Sequence, residues 1–264
     1  MKRSVWIMII TIITACCVIG GTFYHIFRYE KGFMGHGGIT NMSADLEAFE
    51  SLTIDANFMD VTVTAGEHFY LSCEYTEGLE PIYEIKDGAL TIKQRTYGKN
   101  RWGVNKAQCS LTLTIPEEAA MSMLDVHTAL GNIQLERLSA SECEVSSNMG
   151  NCELKKCSFD RSDLMTNLGE ISVKDTDLGE AEVSNDMGEI EMDDCIFSNM
   201  DITAAMGGVS VDAAQALDGY DMDLEADLGS VHVNNRSEGT QYHQSGDAGK
   251  LWVNTNMGSI RISY

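Results

Sequence analysis

One short phrase constrains this chain more than any other feature: an apolar residue, a glycine, and another apolar residue two places later, repeated seven times between residues 123 and 262. The glycines stand at positions 131, 150, 169, 188, 207, 229 and 258, so four successive spacings are 19 residues and the last two are 22 and 29. A unit this short cannot bury an apolar face alone, so successive units must stack and share a core. The sequence therefore predicts a repeat architecture.

Within each unit, apolar and polar residues alternate with the period of a β-strand. The positions two and four after each glycine are always apolar, as in Ile171 and Val173. The position before the glycine is always Leu or Met, and we expect this column to face the core as well: Leu130, Met149, Leu168, Met187, Met206, Leu228 and Met257. The predicted fold is an all-β repeat solenoid, most simply a parallel β-helix with about 19 residues per coil. A meander of antiparallel hairpins is the alternative, since such a unit also accommodates two strands and two turns.

The N-terminal segment differs in kind, because residues 5–27 carry no formal charge and consist mainly of Ile, Val, Met, Ala and Phe. At about 1.5 Å per helical residue, this run is long enough to cross a bilayer. We expect a single transmembrane helix, with residues 1–4 in the cytoplasm and the C-terminal domain outside the cell membrane. An alternative lies in the same stretch, because residues 13–16 resemble a lipoprotein cleavage box in which Cys16 would carry the lipid.

Three regions follow the apolar run. Residues 28–45 contain several glycines and no periodicity, which is typical of a flexible linker. Residues 46–120 alternate like strands but keep the repeat only in degenerate form, with Met59 in a glycine position. We expect this region to cap the N-terminal end of the regular solenoid, which occupies residues 121–264.

Three sequence features carry a resemblance to a known family: the strand phrase Leu-Thr-Ile-Pro at residues 113–116, the Leu-Asp-Val at residues 124–126, and the recurring Gly-x-Ile-x-Val units. They resemble the bacterial β-strand-repeat family labelled "putative adhesin", a domain of unknown function. The resemblance covers roughly residues 49 to 264. It implies a membrane-anchored envelope protein of Gram-positive type, whose relatives are associated with envelope-stress operons and have no established catalytic residues.

The charge balance excludes some partners and suggests one site. A formal net charge of −22 repels nucleic acid and anionic lipid headgroups, so we expect the domain to bind neither. Carboxylates stacked at about 4.8 Å would repel one another, and oxygen ligands suit Ca²⁺, so one outward column is a candidate weak divalent-cation site. A solvated acidic face is the alternative reading. The column consists of Asp125, Glu144, Asp163, Glu182, Asp201 and Asp223.

A basic and aromatic patch between residues 93 and 106 is a second candidate site. In an acidic protein outside a Gram-positive membrane, such a loop could contact a teichoic acid, a glycan or the acidic column of a neighbour. A long hairpin loop without a ligand is the alternative. The patch consists of Lys93, Arg95, Tyr97, Lys99, Arg101, Trp102 and Lys106.

A column two places before the glycines is interpreted as structural, because Asn and Asp accept turn geometry and can stack their side chains between coils. It contains Asn148, Asn167, Asp186, Ala205, Asp227 and Asn256.

Six of the eight cysteines lie outside the N-terminal apolar run. Cys157 and Cys195 share a column but lie two coils apart, about 9.6 Å, beyond the roughly 7 Å limit for a disulfide. Cys73 and Cys109 stand at positions of their strands that face inward, so a disulfide between them stays possible. No spacing of Cys and His indicates a zinc site.

No motif of a hydrolase, a zinc protease or a phosphate-binding loop is present. We therefore expect a cell-surface anchored, non-catalytic protein for envelope interaction or structure, with a cell-wall polymer or an envelope protein as partner and no cofactor beyond weak Ca²⁺. An envelope-stress accessory acting on a membrane partner and a weak glycan-active enzyme are the alternatives. The polar insertion at residues 234–250 is expected to fold across the last coil, because Tyr264 leaves no later element to cover that edge.

Overall fold

The computed structural model describes residues 39–94 and 109–264. Within these residues the fold is all-β and contains no helix. The strands are β1 (Ile39–Asp45), β2 (Ser51–Phe58), β3 (Asp60–Gly66), β4 (Tyr70–Thr76), β5 (Pro81–Lys86), β6 (Ala89–Gln94), β7 (Ser110–Pro116), β8 (Met121–Leu130), β9 (Ile133–Glu136), β10 (Ser139–Met149), β11 (Cys152–Lys155), β12 (Ser158–Leu168), β13 (Ile171–Lys174), β14 (Glu180–Met187), β15 (Ile190–Cys195), β16 (Asn199–Met206), β17 (Val209–Ala213), β18 (Asp221–Leu228), β19 (Val231–Val233), β20 (Arg236–Gly239), β21 (Gln241–Gln244), β22 (Lys250–Met257) and β23 (Ile260–Ser263).

These strands form a twelve-stranded and an eleven-stranded sheet. Each regular coil contributes one strand to each sheet, so that β8, β10, β12, β14 and β16 are neighbours in one sheet and β9, β11, β13, β15 and β17 are neighbours in the other. The pairing is parallel, and it aligns residues 19 positions apart, such as Ile133, Cys152, Ile171 and Ile190. The predicted all-β, solenoid-like architecture is confirmed, and antiparallel hairpins do not form these coils.

The core lies between the two sheets and is built by the columns that alternate inward. One column of the eleven-stranded sheet is almost fully buried along five successive coils: Val126, Val145, Leu164, Val183 and Ile202. The other sheet contributes Ile171 and Val173 and their equivalents, which are also inaccessible to solvent. Each such side chain stabilises the fold by roughly 1.5–3 kcal/mol relative to exposure, and the coils therefore depend on one another.

The spatial order of the coils departs from their sequence order at both ends. At the N-terminal end, β6 and β7 lie outside β2 and β3, which themselves pair with β8 and β9. At the C-terminal end, β22 and β23 lie between the coil of β16 and β17 and the coil of β18 and β19. The last coil in the sequence is therefore an interior coil with a parallel neighbour on each side.

Antiparallel strands cover the outermost coils. At one end β4 pairs with β7, β1 pairs with β4, and β5 pairs with β6. At the other end β20 pairs with β19 and β21 pairs with β18. The insertion at 234–250 thus folds across the terminal coil as expected, but the coil that it covers is that of β18 and β19, because the final coil is inserted one position further in.

The expected linker ends at residue 45, but the first strand of the fold already begins at Ile39. Residues 39–45, the last part of the expected 28–45 linker, form β1, because the edge of β4 offers a row of backbone partners to a segment that has no repeat pattern of its own. The expected transmembrane helix at residues 5–27 and the alternative lipid site at Cys16 lie outside the described residues. Within residues 39–94 and 109–264, no helix could span a bilayer.

The backbone turns in a different way at each of the two corners of a coil. At one corner the repeat glycines lie against the backbone of the preceding coil: a Cβ atom on Gly169 would overlap the carbonyl of Gly150. At the other corner, residues with side chains adopt a left-handed conformation every 19 positions, namely Arg137, Lys156, Asp175 and Asp194, with φ between 49° and 55°. The first corner is visible in the sequence because only glycine fits it, whereas the second is occupied by residues of no common type.

Candidate interaction surfaces

Six of the seven Leu and Met residues before the repeat glycines are exposed and Leu130 is half-buried, so the expectation that this column faces the core is wrong. Met149, Leu168, Met187 and Met206 each expose 38–46% of their surface, whereas Ser147, two positions before Met149, is buried. The alternation of the strand would place Met149 inward, but the chain turns at Gly150 and directs the preceding side chain out of the corner. Apolar character at this position therefore serves something other than the core.

Strand register turns the column into one continuous surface. Adjacent members are aligned between neighbouring strands over eight coils, and they include Phe58 from the degenerate N-terminal region. At about 4.8 Å per strand, seven steps give a length of roughly 34 Å. We call this surface the apolar stripe, and in spatial order it consists of Phe58, Leu130, Met149, Leu168, Met187, Met206, Met257 and Leu228.

Polar and acidic residues flank the apolar stripe on both sides. On the far side of the glycines, side-chain oxygens form a ladder that accepts hydrogen bonds from the backbone of the next coil. The N–H of Asn132 donates to Asp60 Oδ1 (2.8 Å), that of Asn151 to Asn132 Oδ1 (2.9 Å) and that of Glu170 to Asn151 Oδ1 (3.0 Å). This ladder rigidifies the corner beside the stripe. Sequence reasoning missed it, although Asn at 132 and again at 151 was a signal.

On the near side, the column interpreted as structural from the sequence includes Asn148 and Asn167. The amide of Asn167 donates to the side-chain oxygen of Asn148 over 3.3 Å, which is the stacking between coils that was expected. Further along, this column presents the exposed carboxylate of Asp186 beside Met187, and Glu189 lies on the other side of the same glycine. The middle of the apolar stripe is therefore bordered by negative charge.

The acidic column forms a ladder of five carboxylates on neighbouring strands: Asp125, Glu144, Asp163, Glu182 and Asp201. The sixth predicted member, Asp223, does not continue it, because β22 separates β18 from β16 and places Trp252 between Asp201 and Asp223. Trp252 occupies the same repeat position as the carboxylates, and this was the sequence signal that the prediction overlooked.

Stacking and partial burial raise the pKa of three ladder carboxyls. For Asp125 and Asp163 the main cause is desolvation, followed by the neighbouring Glu144 and Glu182 respectively. Asp201 follows the same pattern, with desolvation first and Glu182 second. Among residues 39–94 and 109–264, no three His, Cys, Asp or Glu side chains are grouped so that they could hold a metal ion. Calcium binding by the ladder stays a prediction.

The other predicted sites are only partly visible. Of the basic patch, Lys93 lies on β6 with its side chain exposed, and Arg95, Tyr97, Lys99, Arg101, Trp102 and Lys106 lie outside the described residues.

All six cysteines of the described region are buried free thiols, so Cys73 and Cys109 are not bonded, and neither are Cys157 and Cys195. Burial, and then the neighbouring Cys109, raise the pKa of Cys73 to about 12. Such a thiol is protonated at neutral pH and packs as a small apolar group.

Residues 49–264 match the model of the family described as Toastrack DUF4097. The chain belongs to this family. The Toastrack match confirms the resemblance to adhesin-like β-repeat domains drawn from the sequence. No curated protein matches the chain.

Several solved structures match most of the chain at low sequence identity. One is a "putative adhesin" from Bacteroides fragilis, with 12% identity, a TM-score of 0.46, and coverage of 88% of this chain and 100% of the other. Another is a "putative cell adhesion protein" from Clostridium sporogenes, with 15% identity, a TM-score of 0.35, and coverage of 86% and 99%. A third is a "putative lipid binding protein" from Parabacteroides distasonis, with 17% identity, a TM-score of 0.40, and coverage of 87% and 98%.

Proposed function

We propose that this Toastrack protein is a non-catalytic, membrane-anchored envelope protein that binds another envelope protein through the apolar stripe. The observation that carries the proposal is a register of large apolar side chains along eight coils, of which seven are exposed and one, Leu130, is half-buried. Monomeric proteins rarely expose contiguous apolar patches larger than a few hundred Å², and larger ones mark interaction sites. A stripe one residue wide and roughly 34 Å long suits a linear partner rather than a small ligand.

The partner that fits this surface is an amphipathic helix with basic flanks. A helix of about 22 residues is as long as the stripe, and an apolar ridge along it would contact one Leu or Met per coil. The carboxylates that border the stripe, Glu170, Asp186 and Glu189, would face Lys or Arg on either side of that ridge. A second copy of this chain fits poorly, because its own stripe carries the same negative borders and its formal net charge is −22.

The test uses the full chain in nanodiscs of zwitterionic lipid and a synthetic 22-residue helix with a Leu face and Lys flanks. We expect Met187→Lys combined with Met206→Lys to weaken binding by about tenfold or more, because a buried apolar anchor becomes an unpaired charge. Met165→Lys is the matched control, since Met165 is as exposed as Met149, at 46%, but lies three residues before the stripe position Leu168 on the same strand, roughly 10 Å from it.

Three outcomes would contradict the proposal: equal effects of the stripe and control variants, equal binding of a helix with Glu flanks, or no binding of the helix. Self-association of the wild-type chain that the stripe variants abolish would assign the stripe to a second copy instead. Light scattering separates that case from helix binding.

The membrane anchor is proposed on the sequence alone. We infer that residues 5–27 span the membrane without cleavage and hold the solenoid on the extracytoplasmic side. The membrane-bound protein should then resist alkaline extraction and keep its N-terminal residues in an intact-mass measurement. A mass that begins at Cys16 with an added lipid would replace the helix with a lipoprotein anchor.

A further inference from the structure

An exposed tryptophan interrupts the acidic ladder on the outer face of the eleven-stranded sheet. Trp252 exposes 47% of its surface and is aligned with Asp201 on one side and Asp223 on the other. The ammonium of Lys250 lies 5.6 Å from the centroid of its ring, a cation–π contact that restrains the ring. A large flat apolar surface is thus held in solvent among charged groups.

This ring forms part of the wall of a shallow groove. The groove has a volume of about 310 Å³ and lies between two outward columns of side chains.

One wall takes one residue from each of four neighbouring strands: Arg161, Glu180, Asn199 and Lys250. Glu182, Asp201 and Trp252 form the other wall. The residues between the two walls, Ser162, Ala181 and Met200, have buried side chains, so the floor of the groove is the strand backbone. Four strands at about 4.8 Å give the groove a length of roughly 14 Å.

The lining combines three chemical features on one surface. Trp252 offers an aromatic face, Arg161, Asn199 and Lys250 offer N–H donors, and Glu180, Glu182 and Asp201 offer acceptors. Within residues 39–94 and 109–264, neither Arg161 nor Lys250 forms an ion pair, so neither positive charge is neutralised by a salt bridge, and Lys250 makes only the contact with the Trp252 ring. A flat ring beside alternating donors and acceptors is the arrangement that binds sugars, because the C–H face of a pyranose packs on the ring while its hydroxyls both donate and accept.

We propose that this groove binds an oligosaccharide of neutral or amino hexoses, with Trp252 as the stacking platform. The three lining carboxylates outnumber the two cations, and Asp223 adds a further negative charge next to the ring, so an anionic polymer is disfavoured. A protonated amino sugar gains from the same carboxylates. The open groove, roughly 14 Å long, accommodates a short chain of sugars rather than a single one.

The groove is separate from the apolar stripe. Trp252 and Met257 lie on the same strand, five residues apart, which corresponds to roughly 17 Å along an extended chain. The oligosaccharide site therefore does not depend on the proposed protein partner, and the two can fail independently.

The test measures binding of two trimers to the full chain in zwitterionic nanodiscs by saturation-transfer NMR and calorimetry. One is the trimer of N-acetylglucosamine, and the other is the same trimer without its acetyl groups. We expect Trp252→Ala to weaken both by about tenfold, the effect of losing an aromatic stacking partner worth about 1.4 kcal/mol, and Trp252→Phe to retain most of the affinity. Glu182→Gln combined with Asp201→Asn should weaken the de-acetylated trimer more than the acetylated one, because only the former carries ammonium groups.

Met165→Ala is the matched control, because Met165 has the same exposure as Trp252 within one per cent and lies on the same sheet face. Met187→Lys on the apolar stripe should leave trimer binding unchanged, which separates this site from the proposed function. The proposal is overturned if neither trimer binds saturably, or if Trp252→Ala binds like the wild type. Should Trp252→Ala fail to fold, Arg161→Ala and Asn199→Ala replace it, and unchanged binding in both has the same meaning.

Discussion

Backbone contact between successive coils decides which residue each corner accepts. Five repeat glycines, from Gly131 to Gly207, have φ between 144° and 154°, and at the last four of them the carbonyl of the glycine in the preceding coil occupies the place where a Cβ atom would lie. Buried polar side chains on the same strands complete the corner: Ser147 donates to the carbonyl of Gly131 over 3.2 Å, and Asn185 donates to that of Gly169 over 2.9 Å. These two corners therefore depend on both the missing side chain and a hydrogen bond from the neighbouring coil.

Substitution of one repeat glycine tests this contact. We expect Gly169→Ala to lower the free energy of unfolding by about 3 kcal/mol or more, because the new Cβ displaces backbone rather than a flexible side chain. Gly88→Ala is the control, since Gly88 has φ of 77° and no atom within 4 Å of the added Cβ. Gly88→Ala should lower the free energy of unfolding by only about 1 kcal/mol, because it adds the strain of the left-handed conformation and no steric contact. Equal costs in urea unfolding would show that steric contact between coils is not the cause.

The acidic ladder gives a pH dependence of defined sign. Burial, then Glu182 and Glu144, raise the pKa of Asp163 above its ordinary value of 3.8, so the folded state favours the protonated carboxyl. The contribution of the protonated Asp163 carboxyl to stability is therefore fully present below about pH 3.8. That contribution is lost as the pH rises through the folded-state pKa of Asp163. We expect Asp163→Asn to raise the melting temperature at pH 7 and to lose this advantage near pH 4.

Asp247→Asn, in the exposed loop after β21, is the control for that experiment and should change the melting temperature little at either pH. If Asp163→Asn lowers the melting temperature at pH 7, the ladder carboxylates stabilise the fold through contacts that outweigh their repulsion.

At the scale of the elements, the antiparallel strands at the ends protect the open edges of the solenoid. Tyr242 of β21 packs against the core, and the amide of Gln244 donates to the carbonyls of Leu217 and Tyr220 over 2.8 and 3.0 Å. These contacts tie the insertion to the outermost coil. An uncovered parallel edge would present a row of free backbone groups to another chain.

Deletion of residues 236–247 removes β20 and β21 and tests this protection. We expect the shortened chain to self-associate, because the edges of β18 and β19 lose their partners. Size-exclusion chromatography with light scattering measures the association. Gln241→Ala, which removes only an exposed side-chain contact to Glu225, is the control and should remain monomeric. A shortened chain that stays monomeric and equally stable would show that the insertion is an ordinary surface loop.

At the scale of the whole molecule, the coil order holds the last coil of the sequence inside the stack. The strands β22 and β23 have parallel partners on both sides, so the end of the chain cannot fray without separating two other coils. At the other end, β2 and β3 are enclosed in the same way by β6, β7, β8 and β9. Cooperativity between coils should therefore extend to both ends.

Engineered disulfides test this order directly. Asp201→Cys with Trp252→Cys places two thiols on adjacent strands about 4.8 Å apart, within the range that a disulfide spans. Asp201→Cys with Asp223→Cys is the comparison, because β22 separates the two positions to about 9.6 Å. We expect oxidation to link the first pair only, measured by intact mass after alkylation. A bond in the second pair would mean that the coils follow sequence order.

Residue types that return at a fixed spacing were enough to predict the all-β repeat, its 19-residue period, the glycine corner and the alignment of the five neighbouring carboxylates. The exposure of the Leu and Met column could not be predicted in this way, since apolar type does not reveal where a strand turns, and Met149 projects outward because the chain bends at Gly150. The same holds for Trp252, whose place between Asp201 and Asp223 follows from pairing between coils that are not consecutive in the chain. Backbone hydrogen bonds are indifferent to side-chain identity, so a repeat pattern fixes the register within each coil pair but not which coils become neighbours.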